Sequence, residues 1–299
     1  MGIGSVFALL AVMAIWGLNF SVIKLGLEGV PALLLSSLRF LFAALPAVFF
    51  VPRPKCHWKW VVAFGVASGI FQFSFLFFGI DIGMSAGLAS VVLQAHVFFT
   101  LILGAILLKE RMGAFAIGGT ALAAIGLVLI GSIQNTDTNV AAVALVILAA
   151  LSWAVANIIT RKAAPVNMFS FIVWSSLVPI LPLFALSTAI DGWTAIEASI
   201  AGADMTSALS VLYLAYATTV LGYGIWSAEI GRHGVSLVVP FTLSVPIFGI
   251  LGSHLIFGEE LGPIEITAVA LILTGLFITI MGPRLFRPAR ATPAPTPKP

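Results

Sequence analysis

The chain has 299 residues, of which 61% are hydrophobic and 8% charged, with a mean hydropathy of +1.16 and a formal net charge of +3. Soluble proteins carry roughly 25% charged residues because their surface must face water. Fourteen basic and eleven acidic side chains cannot coat a soluble particle of 31.4 kDa, so a soluble catalytic or nucleic-acid-binding domain is excluded and an all-α integral membrane fold is expected. Long apolar runs predict ten spans, at 4–24, 31–51, 59–79, 85–108, 113–132, 139–160, 168–190, 206–229, 235–257 and 263–283. Each is near the ~20 residues that a helix needs to cross a bilayer. The first run carries no cleavable signal pattern, and Cys56, the one cysteine, permits no intramolecular disulfide.

Polar side chains inside spans are costly in hydrocarbon and are functional candidates by default. In chain order they begin with Trp16 and Asn19 in span 1, with Lys24 near its end. Arg39 lies about eight residues into span 2, too deep to snorkel, and wants a carboxylate, carbonyls or an anionic substrate. Span 3 has Gln72 within a run of phenylalanines, which reads as core or lipid-facing surface. Span 4 has Gln94 and His96, two apart and so on different helix faces. Span 6 has Trp153 and Asn157; span 8 has Tyr223 and Trp226, with Glu229 at its end. Pro46, Pro179, Pro182, Pro240 and Pro246 interrupt spans. Gly104, Gly126, Gly252 and Gly275 are expected at close helix contacts. No carboxylate lies at the middle of a span, and no phosphate-binding glycine loop, metal-ligand spacing or nucleophile elbow occurs. No cofactor and no metal are expected.

Orientation follows from lysine and arginine. With the N-terminus cytoplasmic, Arg53, Lys55, Lys59, Lys109, Arg111, Arg161, Lys162, Arg232, Arg284, Arg287, Arg290 and Lys298 all fall on the inner side, and Lys24 alone outside. Both termini are therefore expected in the cytoplasm.

The halves repeat. Glu110-Arg111-Met112-Gly113 is followed by Gly126-Leu127, as Glu259-Glu260-Leu261-Gly262 is by Gly275-Leu276. Trp16, Asn19 and Lys24 answer Trp153, Asn157 and Lys162. Five spans per half is an odd number, so the copies must be inverted across the bilayer, an architecture used for alternating access. The expected division is a first repeat over 1–133, an inverted second repeat over 134–283 and a disordered cytoplasmic tail over 284–299.

These residues resemble those of the drug/metabolite transporter superfamily, and within it the EamA-type carriers with ten spans in two five-span repeats. The similarity rests on Trp16-Gly17-Leu18-Asn19-Phe20, Leu38-Arg39-Phe40, Arg53-Pro54-Lys55 and the run Gly83 to Ala95. In the second half it rests on Asp204-Met205-Thr206, Gly222-Tyr223-Gly224-Ile225-Trp226 and Thr274-Gly275-Leu276. It extends from Trp16 to Gly282. It implies a bacterial inner-membrane exporter of small amino-acid metabolites, O-acetylserine and cysteine foremost. His96 departs from the pattern, where glutamine is expected. An aromatic amino-acid or broad drug exporter is the alternative, ahead of a membrane scaffold or enzyme. The expected partners are a small zwitterionic metabolite and the lipid bilayer, with no nucleic acid; one chain can enclose a pathway, so a monomer is expected. The candidate substrate-binding residues are Trp16, Asn19, Arg39, Gln72, Gln94, His96, Trp153, Asn157, Tyr223 and Trp226.

Overall fold

The computed structural model describes residues 1–110, 112–132, 139–164 and 167–285, which are helical throughout with no strand among them. Ten spans run from Ile3–Leu27 (span 1), Ala32–Phe50 (span 2), Trp58–Asp81 (span 3), Ala86–Leu107 (span 4) and Ala114–Ser132 (span 5). The second half continues with Val140–Ala163 (span 6), Met168–Asp191 (span 7), Met205–His233 (span 8), Val239–Phe257 (span 9) and Pro263–Leu285 (span 10). The expected repeat boundary, the tail beyond Leu285, and Arg111, Asp137, Arg287, Arg290 and Lys298 lie outside the described residues. Where the sequence suggested only a long connection between spans 7 and 8, a further helix forms at Trp193–Ala201, with Ile196 buried beneath it.

The packing repeats as the sequence does. Span 1 packs along span 9 and against span 8; span 6 packs along span 4 and against span 3. Spans 5 and 10 pack on each other, as do spans 2 and 7. Exchanging each span with the one five places on turns every one of these contacts into another on the same list of pairs. Large apolar side chains such as Phe7, Phe50, Val128, Leu181 and Leu255 point outward, where lipid replaces water.

The regularity of the spans repeats too. Spans 1, 5, 6 and 10 are continuous helices. Span 2 breaks at Leu45-Pro46, and span 7 unwinds over 176–179, ending at Pro179. Span 3 is π-helical over Gly65–Gln72, as span 8 is over Tyr213–Leu221. Span 4 breaks at Leu93-Gln94, and span 9 begins with a 3₁₀ stretch over Val239–Ser244. Proline explains the breaks in spans 2, 7 and 9, since it has no N–H to give. The π segments contain no proline.

Small residues set the spacing between spans 5 and 10. A Cβ on Gly275 would lie 2.5 Å from the Gly119 carbonyl oxygen and 3.1 Å from Ala123 Cβ, and one on Gly126 would lie 2.8 Å from the Ala268 carbonyl oxygen. With lipid as apolar as leucine, this close backbone approach is what holds two such helices together. Gly275→Leu is therefore expected to overpack the contact and lower stability by about 1–3 kcal/mol, measured as thermal denaturation of the detergent-solubilised protein. Ile266→Leu, on an exposed position of the same span, serves as the control that should change little.

Span 8 is capped by Asp204, whose Oδ1 accepts the Ser207 backbone N–H at 2.7 Å. That bond holds its carboxyl below the usual carboxylate range. A depressed folded-state pKa contributes stability that is complete above the unfolded value of ~3.9 and lost as pH falls through the lower folded value. Acid titration of the thermal midpoint should show a larger fall in the wild type than in Asp204→Asn; equal slopes would remove the cap from the account.

Candidate functional site

Arg39 reaches from span 2 to span 8. Its side chain is 4% exposed, and Nη2 donates to Thr218 Oγ1 at 3.3 Å and Thr219 Oγ1 at 3.4 Å. Both threonine hydroxyls donate in turn to the Leu214 carbonyl, at 2.6 and 3.1 Å, so they turn lone pairs toward the guanidinium. The Phe73 ring lies 4.0 Å from Cζ, within cation–π range. Nε and Nη1 are buried without a hydrogen-bond partner, and among the described residues no carboxylate pairs with Arg39. A cavity of about 30 Å³ lies beside it, between spans 2, 3, 7 and 8; Arg39, Ser68, Phe73, Ser175, Thr219 and Tyr223 line it.

The π segment of span 8 also receives Trp16. Its Nε1 donates to the Thr218 carbonyl oxygen at 3.0 Å. Gly222 makes room for it: a Cβ there would sit 2.7 Å from Trp16 Nε1. The indole is flanked by Tyr223 at 5.1 Å and Trp226 at 5.4 Å between ring centroids. Four of the candidates, Trp16, Arg39, Tyr223 and Trp226, are thus brought together. Gln72 joins them at one remove, since its Oε1 accepts from Ser68, which lines the cavity, at 2.8 Å.

His96, Trp153 and Asn157 form a second group between spans 4 and 6. The His96 ring stacks on Trp153 at 3.8 Å and 24°. Asn157 Nδ2 donates to Thr100 Oγ1 at 3.0 Å, and Thr100 donates to the His96 carbonyl at 2.6 Å. Among the described residues no hydrogen bond or ring contact joins the two groups. Asn19 and Gln94 are 8% and 5% exposed; Asn19 Oδ1 lacks a partner and Gln94, at the break of span 4, makes no side-chain hydrogen bond.

The sequence match of Trp16 with Trp153 does not give them equivalent surroundings. Trp16 precedes its asparagine by three residues and Trp153 by four. One residue turns a helix by about 100°, so one indole meets span 8 while the other meets span 4, not span 3. The hydroxyls of Thr218, Thr219, Ser68 and Ser175 escaped sequence reading. Such residues are common in apolar helices, where they bond a carbonyl of the preceding turn and advertise nothing.

Two ion pairs join the halves. Lys24 Nζ lies 2.5 Å from Glu259 Oε1, and Glu259 Oε2 further accepts from the Ser253 hydroxyl and from Gly87 N–H. Arg161 grips both oxygens of Glu110, at 2.5 and 2.9 Å. The acids are repeat-related, and each follows a residue in the left-handed conformation, Gly258 (φ 65°) and Lys109 (φ 55°). The basic partner in the second half is Arg161, not the Lys162 that the repeat pairs with Lys24. Arg161 is four residues after Asn157 and shares its face. A third polar tie joins spans 1 and 8: the buried Glu229 carboxylate holds Arg232 at 2.9 Å and His233 at 3.4 Å, and His233 Nε2 lies 3.0 Å from the Ser5 hydroxyl.

Ten spans in two inverted repeats, irregular backbone around a buried polar lining, and two repeat-related ion pairs between the halves are the architecture of a membrane carrier. The chain belongs to the EamA-like transporter family, whose sequence profile matches residues 3–132 and 140–281, one stretch in each repeat. It is 44% identical to a probable amino-acid metabolite efflux pump of Salmonella typhimurium over 292 residues, covering 96% of this chain and 98% of that protein. It is 42% identical to a protein of the same description from Escherichia coli, covering 92% and 94%. A solved crystal structure superposes with a TM-score of 0.62 at 18% identity, covering 94% of this chain and 98% of the other, and shares its fold.

The two ion pairs yield a test. Lys24→Glu or Glu259→Lys alone should lower substrate exchange in reconstituted vesicles several-fold, and the double reversal should restore at least half of it. The Arg161–Glu110 pair is more exposed, hence more screened by salt, and its reversal should cost less. A double reversal as inactive as either single change would show that the pairing itself is not what matters.

Proposed function

We propose that this carrier exports small zwitterionic amino-acid metabolites, O-acetylserine and cysteine foremost, across a bacterial inner membrane. The two repeats alternate about the lining formed by spans 1, 2, 3, 4, 6, 7 and 8, with both chain termini in the cytoplasm. The observation that carries the reading is Arg39: a guanidinium buried without a carboxylate, in a lining otherwise made of hydroxyls, neutral amides and aromatic rings. Leaving such a charge uncompensated inside a protein costs several kcal/mol, and an anionic group on the cargo supplies the missing partner. A purely cationic drug would meet repulsion there. The Salmonella and Escherichia relatives, both probable amino-acid metabolite efflux pumps, support the same class of cargo.

Asn19, Gln94 and Asn157 each offer both a donor and an acceptor, which suits a molecule carrying charges of both signs. The Trp16, Tyr223 and Trp226 rings supply faces that attract an ammonium group. The same rings suit an aromatic amino acid, so the cargo panel includes one.

Purified protein in vesicles loaded with labelled O-acetylserine, cysteine, phenylalanine or a cationic dye should exchange the first two fastest. Arg39→Ala should reduce exchange at least tenfold, a loss of about 1.4 kcal/mol or more in transition-state stabilisation, and Gln94→Ala several-fold. Full exchange by a folded Arg39→Ala protein, or preference for the cationic dye, contradicts the reading.

A further inference from the structure

We infer that Ser175 of span 7 completes, with Arg39 of span 2, a subsite that takes the carboxylate of the transported molecule and makes the carrier select free acids over their esters. This rests on the reading above that the cargo is an amino-acid metabolite. Polar donors lining the small cavity divide into those already committed and those that are not. Ser176 donates to the Ile172 carbonyl at 2.9 Å, Ser68 to Gln72 at 2.8 Å and Thr219 to the Leu214 carbonyl at 3.1 Å. Ser175 is 2% exposed, and its hydroxyl has no partner. The same is true of Arg39 Nε and Nη1. Three unused donors, two of them on the charged guanidinium, therefore belong to residues that border one void, and no carboxylate among the described residues pairs with them.

A guanidinium with two unpaired N–H positions beside an unpaired hydroxyl is complementary to an anion. A void of about 30 Å³ has room for one or two waters, and a carboxylate replaces them with two oxygens bearing a negative charge. A methyl ester presents the same oxygens without the charge and with an added methyl group, so it loses both the ion pairing and the fit.

The backbone fixes Ser175 in this place. It is the last residue of the first helical segment of span 7, before the unwound turn at 176–179. That turn presses on the π segment of span 3 through two glycines. A Cβ on Gly65 would lie 2.7 Å from the Ser175 carbonyl oxygen, and one on Gly69 would lie 2.7 Å from the Pro179 ring. Spans 2 and 7 are repeat partners, so each half contributes one member of the subsite from its own broken second helix.

The test is counterflow in vesicles loaded with labelled O-acetylserine, with the unlabelled acid or its methyl ester as external competitor. In the wild type the acid should compete at least tenfold better than the ester. In Ser175→Ala this ratio should fall at least threefold, chiefly through weaker competition by the acid, and Ser175→Thr, which keeps the hydroxyl, should recover part of it. Because a variant may lose folding, the shift in melting temperature that each competitor induces in the solubilised protein is read alongside. The acid should stabilise the wild type more than Ser175→Ala, with the ester acting equally on both. Equal competition by acid and ester in the wild type, or a Ser175→Ala change that weakens both alike, overturns the subsite while leaving amino-acid export standing. Absence of any O-acetylserine or cysteine exchange in the wild type overturns the export reading itself and the subsite with it.

Discussion

Hydrocarbon offers no hydrogen-bond partner, so every peptide group and every charge in this chain must find one within the protein. That constraint dictates helices for the spans, and it also makes each departure from the helix informative. A break frees carbonyls and N–H groups, which persists only where something else meets them. Beside these breaks the Trp16 indole donates to the Thr218 carbonyl in the π segment of span 8, and Ser37 donates to the Ile180 carbonyl just after the break of span 7 at 2.9 Å. The broken spans are stitched to their neighbours beside the breaks.

The inverted repeat distributes these breaks in a pattern. Spans 1, 5, 6 and 10 are continuous, and their contacts are made by glycine and alanine at short range. Spans 2, 3, 4, 7, 8 and 9 are each interrupted. Continuous helices make a stiff frame; interrupted ones supply joints whose backbone groups can be exchanged for cargo. The polar candidates follow the joints closely: Gln94 stands at the break of span 4, Ser175 at that of span 7, Gln72 in the π segment of span 3 and Thr218 and Thr219 in that of span 8. Arg39, on the regular part of span 2, reaches across to the last of these.

Much of this was legible in the sequence, for identifiable reasons. Membrane spans announce themselves by length and hydropathy, and all ten emerge within a few residues of their expected limits, apart from the extension of span 8 to His233. Arg39 stood out because a lone guanidinium in an apolar run has no innocent explanation at that depth. The joints at Pro46, Pro179 and Pro240 were visible because proline lacks a donor. The π segments were not, since an inserted residue in a helix has no compositional mark; only the glycines at 65, 69 and 222, which the neighbouring Pro179 and Trp16 need, hint at them afterwards. Ion-pair partners were missed where one residue of helical rotation decides the face, as with Arg161 and Lys162. The helix at Trp193–Ala201 was missed because its short apolar side, centred on Ile196, is too brief to read as periodic.

The two halves are not equal copies, and the inequality bears on how a symmetric frame can export in one direction. Glu259 binds Lys24, Ser253 and the start of span 4 together with its side chain 17% exposed, while the side chain of the corresponding Glu110, 44% exposed, binds Arg161 alone among the described residues. A charge pair shielded from water is screened less by salt and is harder to separate. In the orientation proposed above the Glu110 end is the cytoplasmic one, where the buried Glu229 cluster adds a second tie between spans 1 and 8. One of the repeat-related pairs is thus compact and shielded and the other exposed, in a molecule whose span contacts repeat. Under the alternating access proposed above, unequal pairs of this kind bias the two openings differently, and a ligand shifts that balance only by its differential affinity for the two states. The buried, carboxylate-free Arg39 is where the cargo's charge can enter that difference.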